Sequence, residues 1–161
     1  MNKIFLPLLA LSFVLVSYSS RPKETTPSSP QYMMDYNAGV AAQKNQDYQG
    51  AIDSYLSALG KKGDFADAWN NLGYCYRMVA KSYLDMSGDA YSKALKYAPQ
   101  NAWALEYQGE YYILTGQLKK AYQNYLKLQN LDPQLAGELK EKLDKVLDQA
   151  QAVLQSEQAS R

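Results

Sequence analysis

The chain has no histidine and a single cysteine, Cys75, among its 161 residues. Imidazole is the usual partner of a working thiolate and a common zinc ligand. A nucleophile–base pair, a zinc site and an intramolecular disulfide therefore each lack a second member. Cys75 lies in the stretch AWNNLGYCYR, between Tyr74 and Tyr76 and six residues after Trp69. The expectation is a small buried hydrophobe rather than a reactive thiol. An excess of charge of one sign is missing too, with 17 Lys plus Arg against 16 Asp plus Glu. That removes the basic footprint of a nucleic-acid binder and the acidic composition of a solvating tail. Glu106 and Glu110 stand four apart and share a helix face, but no base, nucleophile pair or phosphate-cradling loop completes an active site around them. No enzyme activity, cofactor or metal is expected.

Tyrosine is what the chain has in quantity, at 15 residues against two tryptophans and three phenylalanines. Its ring buries area while its hydroxyl still finds a partner, which suits interfaces as well as cores.

The first thirty residues differ from the rest. Lys3 precedes a 13-residue apolar run, Ile4 to Val16, broken only by Pro7 and Ser12. The run is too short to span a bilayer, which takes about 20 apolar residues. It fits the h-region of a signal peptide, residues 1–19, with Ser17 and Ser19 as the small residues before a cut. Residues 20–31, rich in Ser, Thr and Pro, read as a flexible tether. The segment Leu15 to Ser20 resembles a bacterial lipoprotein signal, except that Tyr18 stands where that family carries its lipid-bearing cysteine. Two readings stay open: a soluble protein cut by ordinary signal peptidase, or a lipidated parent in which Tyr18 is a cysteine. Both place the domain outside the cytoplasm, in a bacterial periplasm or cell envelope, with outer-membrane association in the lipidated case.

Beyond residue 31 the chain repeats. Gly39, Gly73 and Gly109 are separated by 34 and 36 residues, and Tyr55, Tyr91 and Tyr125 by 36 and 34. Ala58, Ala94 and Leu128 follow the same offsets, and Pro99 and Pro133 are 34 apart. Trp69, Leu72, Gly73 and Tyr76 complete a W-x2-L-G-x2-Y opening. In this pattern the chain resembles the tetratricopeptide repeat, two antiparallel helices per unit. The implied fold is an all-α helix-turn-helix solenoid of three repeats, residues 32–65, 66–101 and 102–135. A C-terminal capping helix and tail, 136–161, follow. The helices are expected over Tyr32–Lys44, Tyr48–Leu59, Ala66–Lys81, Ala90–Tyr97, Ala102–Thr115 and Leu118–Leu131, with the cap from about Gln134 to Ser156. The two extra residues of the second repeat predict a lengthened inter-helix turn with Gly88 as its breaker. On the cap, Leu135, Leu139, Leu143, Val146, Ala150 and Leu154 form the apolar stripe. Glu138, Glu141, Lys142 and Lys145 form its exposed face, with Glu-to-Lys pairs four apart.

The resemblance implies a concave groove, lined by the first helix of each pair, that binds a peptide or a partner's helix. The groove positions are Tyr36, Asn37 and Val40 in repeat one, and Asn70, Asn71, Tyr74 and Arg77 in repeat two. Repeat three supplies Trp103, Glu106, Tyr107 and Glu110. A subclass of the family grips acidic chaperone tails with Lys, Arg and Asn. Asn71 fits one element of that grip, but Trp103 and Tyr107 stand where basic residues are needed, which argues against that ligand. The expected function is an exported adaptor or assembly factor. The competing expectation is a self-associating structural envelope protein, a homo-oligomer built through the third repeat and the cap.

Overall fold

The computed structural model describes residues 29–80 and 83–160. The expected signal peptide, Tyr18 and most of the expected tether lie outside the described residues; Gln31, expected at the tether's end, opens the first helix. Among the described residues there are seven helices and no strand: α1 (Gln31–Lys44), α2 (Tyr48–Lys61), α3 (Ala66–Val79), α4 (Leu84–Tyr97), α5 (Ala102–Leu114), α6 (Leu118–Leu131) and α7 (Pro133–Ala159). They form three antiparallel pairs followed by α7, and each helix packs on its neighbours in the chain. The one further substantial contact is α7 on α5. This is the all-α solenoid the repeat implied.

Local chemistry sets the helix starts. Asp47, Asn101 and Asp132 precede α2, α5 and α7, and each side chain accepts a hydrogen bond from a first-turn backbone N–H. Such bonds satisfy donors that a helix leaves open at its N-terminus. Pro133, at the first position of α7, has no N–H to leave open. The turns within pairs one and three use a left-handed residue at matching places, Gln46 at φ 61° and Gly116 at φ 73°.

The repeated glycines work by close approach. A Cβ on Gly39 would stand 2.6 Å from the Tyr55 ring, and one on Gly73 would stand 2.7 Å from Tyr91. Each glycine thus admits the tyrosine of its own second helix. Gly109 departs from the pattern, because a Cβ there meets Leu139 of α7 at 2.5 Å. The seventh helix therefore sits against α5 on the space that this glycine leaves. One core cluster joins α2 and α3 through Ile52, Tyr55, Leu72 and Cys75; a second joins α5, α6 and α7 through Leu105, Leu128, Leu135 and Leu139.

Two expectations are corrected. Gly88 does not break a helix: α4 starts at Leu84, and Gly88 is buried inside it, where a Cβ would meet Tyr111 at 2.5 Å. The glycine is there to receive a ring from the next repeat, and the extra residues fall before α4. Lys142 is not simply on the exposed face of α7. It turns onto α5, where it pairs with Glu106 at 2.6 Å and with Glu110. Among the described residues, the i,i+4 ion pair on α7 is Lys140–Asp144, at 2.6 Å.

Candidate functional site

The first helices α1, α3 and α5 bring one side chain after another to a shared trough. It has a volume of about 280 Å³ and is lined by Tyr36, Asp67, Asn70, Asn71, Asn101, Trp103 and Tyr107. Helical periodicity explains the set. Asp67 and Asn71 are one turn apart on α3, as are Trp103 and Tyr107 on α5.

Each ring has a support. Tyr36 packs 4.8 Å from Phe65 and 5.7 Å from Tyr55, centroid to centroid. Trp103 leans on Tyr107 at 5.8 Å with its planes 43° apart, yet remains 54% exposed. An indole left more than half bare on a supported face is free for a ligand to cover. The amides are oriented too. Asn71 Nδ2 donates to the hydroxyls of Tyr36, at 3.2 Å, and Tyr55, at 3.4 Å. Asn101 accepts from the Ala104 N–H at 3.0 Å while its Nδ2 donates to Asp67 Oδ1 at 3.3 Å. Asn70 is only 6% exposed, and its Oδ1 has no hydrogen-bond partner.

Beyond Tyr107 the groove changes character. Arg77 pairs with Glu110 and lies over the rings of Tyr74 and Tyr107, 5.6 and 5.4 Å from their centroids. Lys142 reaches the same Glu110 and also Glu106, which is 1% exposed. A chain of alternating charges thus ties α3, α5 and α7 together. Next to it a second depression of about 250 Å³ is walled by Ile113, Leu114 and Val146 and by the stems of Arg77 and Lys142.

The tyrosines here hold their protons. Burial pushes the hydroxyls of Tyr36, Tyr74 and Tyr107 above the ordinary phenol value, with the Asp67 charge adding to the effect at Tyr36. Burial also pushes the Cys75 thiol up to about 12. Its sulfur lies 3.6 Å from Gln43 Oε1, which accepts the Tyr55 hydroxyl at 2.8 Å. Cys75 is a core residue at 0% exposure.

The trough gathers five of the residues picked out from sequence: Tyr36, Asn70, Asn71, Trp103 and Tyr107. Tyr74, Arg77 and Glu110 lie in the adjoining charged stretch. Two expectations, Val40 and Glu106, need correction. Val40 packs against the core cluster of α2 and α3 rather than facing the groove. Glu106 is buried beneath Lys142, because α7 covers that part of α5. Asn37 is exposed and lies outside the trough lining. Sequence reasoning missed Asp67, Asn101 and Lys142. Asp67 was recoverable, since it precedes Asn71 by one turn and Asn70 by three residues. Lys142 was not, because only the stacking of α7 on α5 brings it there.

No family model matches this chain, and no curated protein matches it in sequence. Solved structures do match its fold. The TPR domain of Arabidopsis OM64 superposes with a TM-score of 0.65 at 20% identity, over 71% of this chain and 94% of that one. The first TPR of Spaghetti (RPAP3), bound to the HSP90 peptide SRMEEVD, gives 0.66 at 17%, over 73% and 93%. The type III secretion chaperone SycD of Yersinia enterocolitica, in complex with a peptide of the translocator YopD, gives 0.65 at 14%, over 73% and 93%. The chain thus has the fold of tetratricopeptide-repeat domains, an all-α solenoid of paired helices.

Proposed function

We propose that this protein is a non-enzymatic protein–protein interaction module, an exported adaptor or assembly factor that holds a peptide or helix of its partner in the trough. The observation that carries this reading is Trp103, 54% exposed beside Tyr107 on a wall shared with oriented asparagine amides. Rings of this kind supply much of the energy of peptide capture, and amides pair with both the donors and the acceptors of an extended backbone. Two of the proteins with this fold are described as peptide complexes, which supports the same use here. Export rests on Lys3 and the apolar run Ile4 to Val16.

The test is a crosslinking pull-down from cell-envelope extract with the wild-type chain and Trp103→Ala, followed by measured affinity for each captured protein. Trp103→Ala removes an exposed ring, so the helical fold should persist while affinity falls by about tenfold or more. Equal affinity in the folded variant would overturn the reading. Tyr74→Ala is a poorer probe, because Tyr74 packs against Tyr48 and Tyr107 and reports on folding as well.

A second reading, self-association, is favoured by α7. Its core-facing stripe continues past Leu143 as Val146, Leu147, Ala150, Val153 and Leu154, with Leu147, Val153 and Leu154 exposed at 46, 56 and 58%. The stripe is symmetric about Ala150, so an antiparallel copy would set Val146 beside Leu154 and Leu147 beside Val153. Sedimentation over a range of concentrations tests this. A mass that rises with concentration, and does not rise in Leu147→Gln/Leu154→Gln, would support it; a concentration-independent monomer would exclude it.

A further inference from the structure

The trough carries one charged side chain, Asp67, and that charge is answered by no cation among the described residues. Its polar contact is the Asn101 amide at 3.3 Å. Nearby cations are engaged elsewhere. Lys61 pairs with Asp35, and Lys62 lies over the rings of Tyr32 and Phe65 at 4.9 and 5.4 Å. Farther along the groove, Arg77 is paired with Glu110, and Lys142 with Glu106 and Glu110. Arg77 and Lys142 are therefore neutralised within the groove before a ligand arrives.

From this charge arrangement we infer that the trough is a subsite for a lysine or arginine side chain of the bound peptide. The assignment rests on the peptide-binding reading above and deepens it. Asp67 supplies the countercharge. The indole of Trp103, with Tyr36 and Tyr107 beside it, supplies the electron-rich faces over which an ammonium or guanidinium settles. The buried Asn70 Oδ1, without a partner of its own, adds acceptor character to the same wall. An acidic tail fits poorly: it would bring carboxylates toward Asp67 and find no free cation among the lining residues. The volume of about 280 Å³ is that of a side-chain pocket, not of a whole peptide.

The test selects random 12-residue linear peptides displayed on phage against the immobilised full chain, then measures affinities by fluorescence anisotropy. Enriched peptides are expected to share a Lys or Arg whose change to Gln weakens binding by about fivefold to tenfold, the combined scale of an exposed ion pair and a cation–π contact. In Asp67→Asn that cost should shrink about threefold. Asp67 is exposed in the first turn of α3, so this variant should fold as wild type does. Affinity should also weaken as salt is raised. Peptides that need Trp103 but show no basic preference, or a Lys-to-Gln cost unchanged in Asp67→Asn, would overturn the subsite and leave the groove reading standing. Capture that ignores Trp103→Ala, or no capture at all, would overturn both.

Discussion

Gly73 and Gly60 show how the same residue type serves different ends. Alanine is favoured over glycine in a helix interior by up to about 1 kcal/mol. At Gly60, in the last turn of α2, a Cβ meets nothing within 4 Å. Gly60→Ala should therefore stabilise the protein by about 0.5 kcal/mol. At Gly73 the new methyl would press into the face of Tyr91, whose ring is 0% exposed and has nowhere to go. Overpacking of that kind costs about 1–3 kcal/mol and outweighs the propensity gain. Urea unfolding of the two variants should move the midpoint in opposite directions. A gain at Gly73 would mean that the α3–α4 contact is looser than described. Cys75 belongs to the same scale: alkylation by iodoacetamide at pH 8 should wait on unfolding, since the thiol is buried and held up to about 12. Fast labelling of the native protein would contradict that placement. The glycine and tyrosine positions were legible in sequence because a 34-residue period repeats them. The purpose of Gly88 was not legible, since a glycine before a helix and a glycine inside one look alike until Tyr111 is seen across from it.

Among the elements, α7 misleads through its charges. Read alone, it is an amphipathic helix with Glu and Lys spaced for pairs along its outer face. The structure sends Lys142 to α5 instead, where Glu106 would otherwise be a buried carboxylate with no cation from α7. Removing one member of such a pair leaves the other desolvated. Lys142 itself is 42% exposed, so water screens part of the loss. Lys142→Ala should destabilise by about 1–3 kcal/mol. Glu106→Gln in that background should recover part of the deficit, because the stranded charge is gone. Chemical denaturation of the wild type, both single variants and the double variant closes the cycle; no recovery would mean that Glu106 is satisfied without Lys142. Rules for i,i+4 pairs describe an isolated helix and cannot see a competing partner on another element. The same limit explains why Glu106 looked like a groove residue: its face was assigned correctly, but the helix that covers it was not foreseen.

At the level of the molecule, the absence of histidine and the abundance of buried tyrosine set the response to pH. No side chain has an ordinary value between pH 5 and 8, so stability should be level across that range. Burial raises Tyr55, Tyr91, Tyr107 and Cys75 above their ordinary values of 10.0 and 9.0. In the unfolded chain these groups lose protons at the ordinary values, while the folded protein retains them. The unfolded state is then favoured increasingly as pH rises through that interval. Thermal unfolding followed by circular dichroism should show a plateau up to about pH 9 and a steady fall above it. A fall beginning near pH 7 would contradict the burial of these rings. Fold class was readable at this scale because each pair of helices contacts its neighbours and little else, so a repeat in sequence becomes a repeat in space. The trough was only partly readable. Its residues on α3 and α5 follow from helical phase, but Asp67 acquires its meaning from the cations that are engaged elsewhere.

The alternating charges of Arg77, Glu110, Lys142 and Glu106 run across the inner edges of three successive layers. They act as a drawstring on the concave side. A partner long enough to flatten the solenoid would have to pull those ions apart, whereas one that follows the existing curve leaves them joined. Salt slackens such a cord where it is wet, at Lys142, and hardly at all at the buried Glu106. The two ends of the groove are therefore stiffened by different means: tilted and edge-on packed rings near α1, a charged tie near α7. A change in ionic strength would adjust the curvature of one end and leave the other as it is.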